Sequence, residues 1–201
     1  MAYLDPQVLK NICRGKTEDQ KKAIEYFCKQ PGCLSKVISD EEYIALVTKK
    51  RDSLNLKQKA LGKIGLDESE VSEIKPAMFE GYIFKNAWSK QRANGKWVSS
   101  AYQVSWLFFS ATQIYIYRCT FNMDEDKISE STDEFFYKDV VSFSTTSETE
   151  DGKSGNQKIQ VESNKFCMVV PGDKLYVSMD DVEDSEAIIQ AMKQKLREKK
   201  M

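Results

Sequence analysis

Residues 97–122, WVSSAYQVSWLFFSATQIYIYRCTFN, decide how the chain folds. They are rich in β-branched and aromatic side chains, which favour the pleated, half-buried surface of a β-sheet. In the part that reads QIYIY, isoleucines alternate with tyrosines, which is the period-two pattern of a strand. The stretch therefore predicts one strand from Trp97 to Phe109 and another from Gln113 to Asn122.

Shorter strand-like segments flank this region on both sides. A strand is expected from Phe79 to Lys85, and residues 86–96 are expected to form a loop because Asn94-Gly95 is a turn signal. Residues 148–157 hold two glycines and little apolar content, so a mobile surface loop is expected there. The remaining predicted strands are Glu134–Tyr137, Asp139–Thr145, Lys158–Glu162, Lys165–Val170 and Lys174–Met179.

The chain before residue 74 carries helical signals instead. Thr17–Gln20 and Ser39–Glu42 both have capping-box spacing, in which a hydroxyl and a carboxyl or amide satisfy the first backbone N–H groups. Pro31-Gly32 ends the first helix, and the second is expected to continue to about Leu61. A short helix is expected from Asp67 to about Ile74. Residues 1–73 are therefore predicted to form a helical N-terminal segment.

A closing helix is predicted at the other end of the chain. Asp184-Ser185 can cap it, and its apolar residues fall on one face. Those residues are Ile188, Ile189, Met192 and Leu196. About seven strands followed by this helix predict an α+β fold, in which an antiparallel meander over 74–201 curls into a partly open barrel and the helix plugs one end.

This order of elements resembles the pleckstrin-homology-like fold of bacterial PH and GRAM-type domains, over about Ile74 to Lys200. The strings FEGYIF, WVSSAYQVSWLFFSATQIYIY, EFFYKDVVSFSTT, FCMVVPGDKLYVS and IIQAMKQKLREKK look like an uncharacterised family of small bacterial proteins of this type. The resemblance implies a fold and a bacterial origin. It implies no activity, because such a family has none assigned.

Composition excludes several classes of function. The 201 residues include 30 basic and 31 acidic side chains and no histidine. The balance argues against a globally basic nucleic-acid binder, and the missing imidazole removes most general-base and nucleophilic-triad chemistry. We therefore expect no enzyme activity, no cofactor and no metal site.

Cysteine usage and hydropathy favour the cytoplasm. The five cysteines have irregular spacing, which predicts free thiols in a reducing compartment rather than a disulfide framework. Cys13, Cys28 and Cys33 could be three zinc ligands, but there is no CxxC pair and no histidine to complete such a site. No secretory signal and no transmembrane segment are expected.

The candidate binding residues are Lys85, Lys90, Arg92 and Lys96, in the loop after the first strand. Residues 76–120 contain five basic residues and one acidic residue, and several cations with loop amides can converge on one anion. In PH domains this loop often binds phosphates, and the resemblance implies the same here, although Lys90 and Arg92 are predicted in the loop rather than on the second strand. The alternative is an ordinary solvated loop.

Three other features have a functional and a structural interpretation. Trp88 and Trp97 could insert into lipid or a partner, or could fold back over the barrel mouth. The acidic residues 122–126 could bind Ca²⁺, but they lack the glycine and distal glutamate of a calcium loop and fit a hairpin turn better. Ser99-Ser100 has no histidine or nucleophile elbow to activate it and is interpreted as strand hydroxyls.

These observations favour a non-enzymatic binding or scaffolding module that engages a protein or peptide in the cytoplasm. The alternative is a peripheral module that binds an anionic lipid or a phospho-ligand through the basic loop. Residues 122–184 carry 16 acidic and six basic side chains, so an anionic membrane would be repelled on that side.

Overall fold

The computed structural model describes residues 3–32, 36–71, 74–179 and 185–200. The fold is mixed α+β, as predicted, with helices before and after a series of antiparallel strands. The helices are α1 (Pro6–Ile12), α2 (Glu18–Cys28), α3 (Asp40–Ser53), α4 (Leu56–Ile64) and α5 (Ser185–Lys200). The strands are β1 (Ile74–Ile83), β2 (Ser89–Gln91), β3 (Trp97–Ser99), β4 (Ala101–Phe109), β5 (Gln113–Asn122), β6 (Ile128–Phe136), β7 (Ser142–Ser154), β8 (Gln157–Val170) and β9 (Asp173–Ser178).

Both predicted capping boxes are confirmed at the starts of α2 and α3. Thr17 accepts from the Gln20 amide while Gln20 accepts from the Thr17 amide, and Ser39 and Glu42 make the same reciprocal pair. The prediction of a single long second helix was wrong, because Asn55 adopts a left-handed conformation with φ of 47° and separates α3 from α4. The following short helix is a 3₁₀ turn, Glu68–Val71.

The strands form three antiparallel sheets. Strand order is β1-β4-β5-β6 in a four-stranded sheet and β7-β8-β9 in a three-stranded sheet, and β2 and β3 form a small hairpin between β1 and β4. A bridge between Trp88 and Lys153 joins the start of this hairpin to the end of β7. Over the described residues, backbone pairing does not close these sheets into a barrel.

Several strand boundaries differ from the predicted ones. Residues 86–96 are not all loop, since β2 pairs with β3 there, and Ser100 interrupts the predicted single strand from Trp97 to Phe109. The first strand begins at Ile74 rather than Phe79. Pro76 has no N–H to give to the ladder, and the pairing of β1 with β4 shifts register between Ile74 and Ala77.

The predicted mobile loop at residues 148–157 was also wrong. These residues form the end of β7, a tight turn at Gly155 with φ of 55°, and the start of β8. Strand β8 then runs without a break through both segments that were predicted as separate strands. Pairing of β7 with β8 continues to Ser154, because each strand satisfies the backbone groups of the other even where the side chains are polar.

The helical segment packs on the sheets rather than standing apart. One buried cluster combines residues of α2 and α3, such as Ile24, Phe27 and Tyr43, with strand residues such as Val104 and Phe121. A second cluster lies between the sheets and α5. Its members include Phe79, Leu107, Phe109, Phe166, Met168, Met192 and Leu196.

The closing helix α5 occupies the predicted position and presents the predicted face. Ile189, Met192 and Leu196 are buried in the second cluster, and Ile188 is partly buried against it. The proposed cap at Asp184 lies outside the described residues. Burial of a side chain of this size contributes about 1.5–3 kcal/mol to folding, so α5 stabilises the sheets that it covers.

We predict that Leu196→Ala lowers the free energy of unfolding by about 2–5 kcal/mol, since it removes buried methyl groups and leaves a cavity. Urea denaturation monitored by circular dichroism measures this change. Gln190→Ala, at an exposed position of the same helix, is the matched control and should shift stability by less than about 0.5 kcal/mol. Equal effects of the two substitutions would contradict the assignment of this face to the core.

Candidate functional site

The basic loop is an ordered hairpin. Arg92 donates its amide to the carbonyl of Lys96 at 2.8 Å, and Gly95, with φ of 83°, donates to the carbonyl of Arg92 at 3.0 Å. Lys90 and Arg92 therefore lie two residues apart at the end of β2. Strand alternation directs their side chains to the same side of the hairpin.

Both side chains face a carboxylate of the helical segment. Asp40 is the first residue of α3, and its oxygens lie 3.7 Å from Lys90 Nζ and 3.9 Å from Arg92 Nε. The same carboxylate accepts a hydrogen bond from the Tyr26 hydroxyl at 2.7 Å and one from the Ala93 amide at 3.2 Å. Two cations, a phenol and a loop amide thus converge on one internal anion.

The pKa of Asp40 lies below its usual range. Burial of the carboxyl alone would raise the pKa, but the hydrogen bonds from Tyr26 and Ala93 and the charges of Lys90 and Arg92 outweigh that effect. Only 17% of the Asp40 side chain is exposed, so water screens these contacts weakly. The carboxylate is therefore ionised at neutral pH and serves as the counter-ion of the loop.

Lys90 has a second internal partner. Its ammonium lies 3.9 Å from the centre of the Tyr26 ring, within the range of a cation–π contact. The Tyr26 ring in turn stacks on Tyr43, with centroids 4.4 Å apart and planes 4° apart. Lys90 therefore connects the hairpin to the helical segment through its contacts with Tyr26 and Asp40.

Lys85 does not join this group. Its side chain is exposed, and it lines a separate cleft of about 430 Å³ with Glu148, Glu150 and Asp151. Its backbone amide donates to Glu150 at 2.9 Å. Lys165 also lines this cleft and pairs with Glu148 and Glu150, so three carboxylates face two lysines and the cleft is a poor site for an anion. Lys85 therefore lies apart from the other three predicted residues.

Arg92 and Lys96 do come together, on the rim of an open groove between the hairpin and β8. The groove has a volume of about 600 Å³. Its lining combines aromatic rings, polar side chains that can donate or accept hydrogen bonds, and one carboxylate. The lining residues are Tyr82, Phe84, Arg92, Gly95, Lys96, Trp97, Gln160, Glu162, Ser163, Asn164 and Met179. Lys96 is exposed and forms no ion pair with any residue that the structure describes.

Sequence reasoning missed Asp40 and the β8 side of this groove. Asp40 lies 50 positions before Lys90, and its local pattern is fully explained by the capping box of α3, so nothing in the sequence pointed to the loop. Gln160 and Asn164 are four residues apart on one strand, and residues at positions i and i+4 of a strand point to the same face. This spacing was a weak signal that the two side chains act together.

The tryptophans follow the structural interpretation. Trp88 and Trp97 are partly buried and pack against the first core cluster, as predicted for rings that fold back over the sheet. Trp97 also contributes to the groove wall. An aromatic ring in that position offers apolar area beside the polar groups.

The acidic residues 122–126 form the turn between β5 and β6. Asp126 accepts from Gln20 at 2.8 Å, and Lys50 donates to the Asn122 carbonyl at 2.5 Å, so the turn holds α2 and α3 in place. Burial raises the pKa of Asp124. Among the residues that the structure describes, no cluster of three potential metal ligands occurs.

The four described cysteines are free, and three of them are buried. Burial raises the pKa of Cys28 to about 12 and also raises the pKa of Cys13 and Cys119. These thiols are therefore protonated at neutral pH and are weak nucleophiles. Cys33, the third residue of the possible zinc set, lies outside the described residues.

A second groove, of about 800 Å³, lies between α1 and α2. Leu4, Leu9 and Cys13 contribute apolar area, and four basic side chains surround it. Two of these are paired within α2, Lys21 with Glu18 and Lys29 with Glu25. None of the four predicted binding residues, Lys85, Lys90, Arg92 and Lys96, lines this groove.

No family model matches the chain, and no curated protein and no solved structure matches it. The expected relation to bacterial PH and GRAM-type domains therefore stays a prediction. No helix of the described residues is both long enough and apolar enough to cross a membrane.

We predict that Asp40→Ala lowers the free energy of unfolding by about 1–3 kcal/mol, because the buried Tyr26 hydroxyl and the two cations lose their partner. Asp52→Ala is the matched control, since Asp52 lies on the same helix with 62% of its side chain exposed. Chemical denaturation of both variants checks this, and an unchanged Asp40→Ala protein would contradict the role of Asp40 as counter-ion.

The stability that the Asp40 carboxylate contributes should decrease at low pH. A carboxyl whose pKa is lower in the folded protein than in the unfolded chain contributes stability above the unfolded pKa and loses it as the pH falls through the folded pKa. The stability difference between wild type and Asp40→Ala should therefore be constant near neutrality and should shrink below about pH 4. A constant difference down to pH 2 would contradict the assignment of the stabilising charge to Asp40.

Proposed function

We propose that this protein is a non-enzymatic binding module that engages a protein or peptide segment in the groove between the β2–β3 hairpin and β8. The observation that carries the proposal is the pairing of Lys90 and Arg92 with Asp40, which offsets one of their two positive charges. It leaves a groove with nearly balanced charge rather than a cationic pocket.

The chemistry of the groove suits a polypeptide. Gln160 and Asn164 can each donate and accept hydrogen bonds, as backbone amides require, and Trp97 and Phe84 offer apolar area for side chains. Lys96 and Glu162 supply one charge of each sign at the rim. A mixed lining of this kind recognises an extended segment through backbone groups and a few side chains.

We also propose that the scaffold is PH-like. Support comes from the order of the elements: a four-stranded meander, a three-stranded meander and then an amphipathic helix that covers the core between them. In this interpretation the β2–β3 hairpin is an insertion between the first two strands of the scaffold. The free thiols of the described cysteines support a reducing, cytoplasmic compartment, and the lack of histidine in the sequence supports a non-enzymatic role.

A second candidate function is the binding of an anionic headgroup or phosphate at the rim of the groove. It is favoured by Arg92, whose Nε is buried and has no hydrogen-bond partner, and by the unpaired Lys96 beside it. Asp40 opposes it, because an external anion would have to approach a carboxylate that already holds Arg92 and Lys90.

The proposal predicts that peptides selected on the wild-type protein from a phage-displayed random library bind the groove. Lys96→Glu and Asn164→Ala should each weaken a selected peptide by about tenfold in calorimetric titration, since each removes a charge-assisted or neutral hydrogen bond. Lys174→Glu is the matched charge reversal at an exposed position outside the groove and should leave the affinity unchanged. If the selected peptides bind both groove variants with the wild-type affinity, the proposed site is refuted.

Vesicle co-sedimentation separates the second candidate. The leading proposal expects no wild-type binding to phosphatidylserine vesicles even at low salt. Binding that fades with added salt and disappears in Lys96→Glu would instead support the anionic ligand. Asp40→Asn should then increase vesicle binding, because it frees Lys90 and Arg92.

A further inference from the structure

Strand β6, Ile128–Phe136, forms one edge of the four-stranded sheet. It pairs with β5 over nine consecutive residue pairs without a register shift. No strand that the structure describes lies on its other side. Since successive residues of a strand direct their N–H and C=O groups to opposite sides, every second residue of β6 presents them at this edge.

Edge strands in natural proteins usually carry a device that limits further pairing, such as a proline, charged side chains, a bulge or a covering element, and on β6 the only such device is its carboxylates, which discourage acidic partners. Strand β6, with the sequence ISESTDEFF, has no proline, lysine or glycine. The side chains at its two ends, Ile128 and Phe136, are exposed to 46% and 47%. The edge is therefore long, regular and open over the described part of the chain.

The carboxylates of β6 are held by neighbours within the protein. Glu130 pairs with Lys63 of α4 at 2.7 Å, and Asp133 pairs with Arg118 of β5 at 2.8 Å. Glu134 is exposed and contacts the Gln113 amide, a neutral group. Glu130 and Asp133 thus have partners within the protein, while Glu134 has no ion pair among the described residues. Since β6 has no base of its own, a basic side chain opposite Glu134 gains a partner there.

A second copy of this chain fits the edge poorly. Two β6 strands that pair antiparallel over their full length are centred on Thr132, and this register places Glu130 directly opposite Glu134, twice. Like charges directly opposite each other destabilise a strand pair. The favoured occupant is instead an extended segment of another protein, with lysine or arginine at the positions that face Glu130 and Glu134.

We propose that the free edge of β6 is a strand-addition site for an extended, basic peptide segment of a protein partner. Backbone hydrogen bonds to the edge supply affinity, and the glutamates select positive side chains at alternate positions. Ile128 and Phe136 contact apolar residues at the ends of the segment. This surface is distinct from the groove beside the hairpin, so the inference stands whether or not the groove binds a peptide.

The test uses the full chain and a capped peptide of nine alternating lysine and threonine residues, with the same peptide N-methylated on alternate amides as a control. The expected result is protection of amides in residues 128–136 from hydrogen exchange by the first peptide only. Glu134→Lys should weaken binding by about tenfold, since it turns an attractive cross-strand pair into a repulsive one.

Glu186→Lys, at an exposed position of α5 outside both surfaces, is the matched charge reversal and should leave binding unchanged, while Glu162→Lys reports on the groove. Three results would overturn the proposal: no protection of β6 at saturating peptide, equal binding of the N-methylated peptide, or loss of binding with Glu162→Lys but not with Glu134→Lys. The last result would place the peptide in the groove. Dimerisation of the wild type through protected β6 amides would overturn the argument about like charges.

Discussion

The stacked pair of Tyr26 and Tyr43 is the contact on which the arrangement of helices and sheets depends. Tyr43 is fully buried and donates its hydroxyl to the carbonyl of Ser99 at 2.7 Å. Ser99 lies where the chain passes from β3 to β4, and its own hydroxyl donates to the Ile83 carbonyl at 2.6 Å. Since a buried carbonyl needs a donor, the tyrosine fixes α3 above the point where the hairpin leaves the sheet.

The electrostatics of the loop follow from this packing. Tyr26 stacks on the ring of Tyr43, and in this position its hydroxyl donates to Asp40 at the start of α3. Asp40 in turn meets Lys90 and Arg92. A loop that looks cationic in the sequence is therefore partly neutralised by a residue of another segment, and Lys96, beside β8, has no ion pair among the described residues.

The sequence predicted those features that depend on local patterns. Both capping boxes, the strand from Gln113 to Asn122 and the apolar face of α5 were correct, because hydrogen bonds within one turn or strict alternation determine them. The hairpin at Gly155 was missed for the opposite reason. Residues 148–154 of β7 are polar or glycine, and they are held by pairing with β8, whose Ile159 and Val161 pack in the first cluster. No single segment of sequence indicates such pairing.

The candidate site was predicted less well than the fold, for a related reason. Charge counts along the sequence assign Lys85, Lys90, Arg92 and Lys96 to one loop, but the hairpin separates them among three environments. Lys90 lies under Tyr26, Lys85 lies beside Glu150, and Arg92 and Lys96 lie on the groove. Which charges remain available to a ligand is decided by residues far away in the chain.

The two proposed binding surfaces differ in how the protein treats its own charges. At the hairpin, Asp40 pairs with Lys90 and Arg92, and the proposed groove would recognise a ligand through its backbone amides and through aromatic contacts. At β6, Lys63 and Arg118 hold two carboxylates in place, while Glu134 has only a neutral contact. Because an ion pair at the surface keeps a side chain ordered but contributes little energy, these pairs fix the edge without making it unable to accept a basic strand. The acidic excess of the sheets is therefore compatible with a protein partner and unfavourable for an anionic membrane.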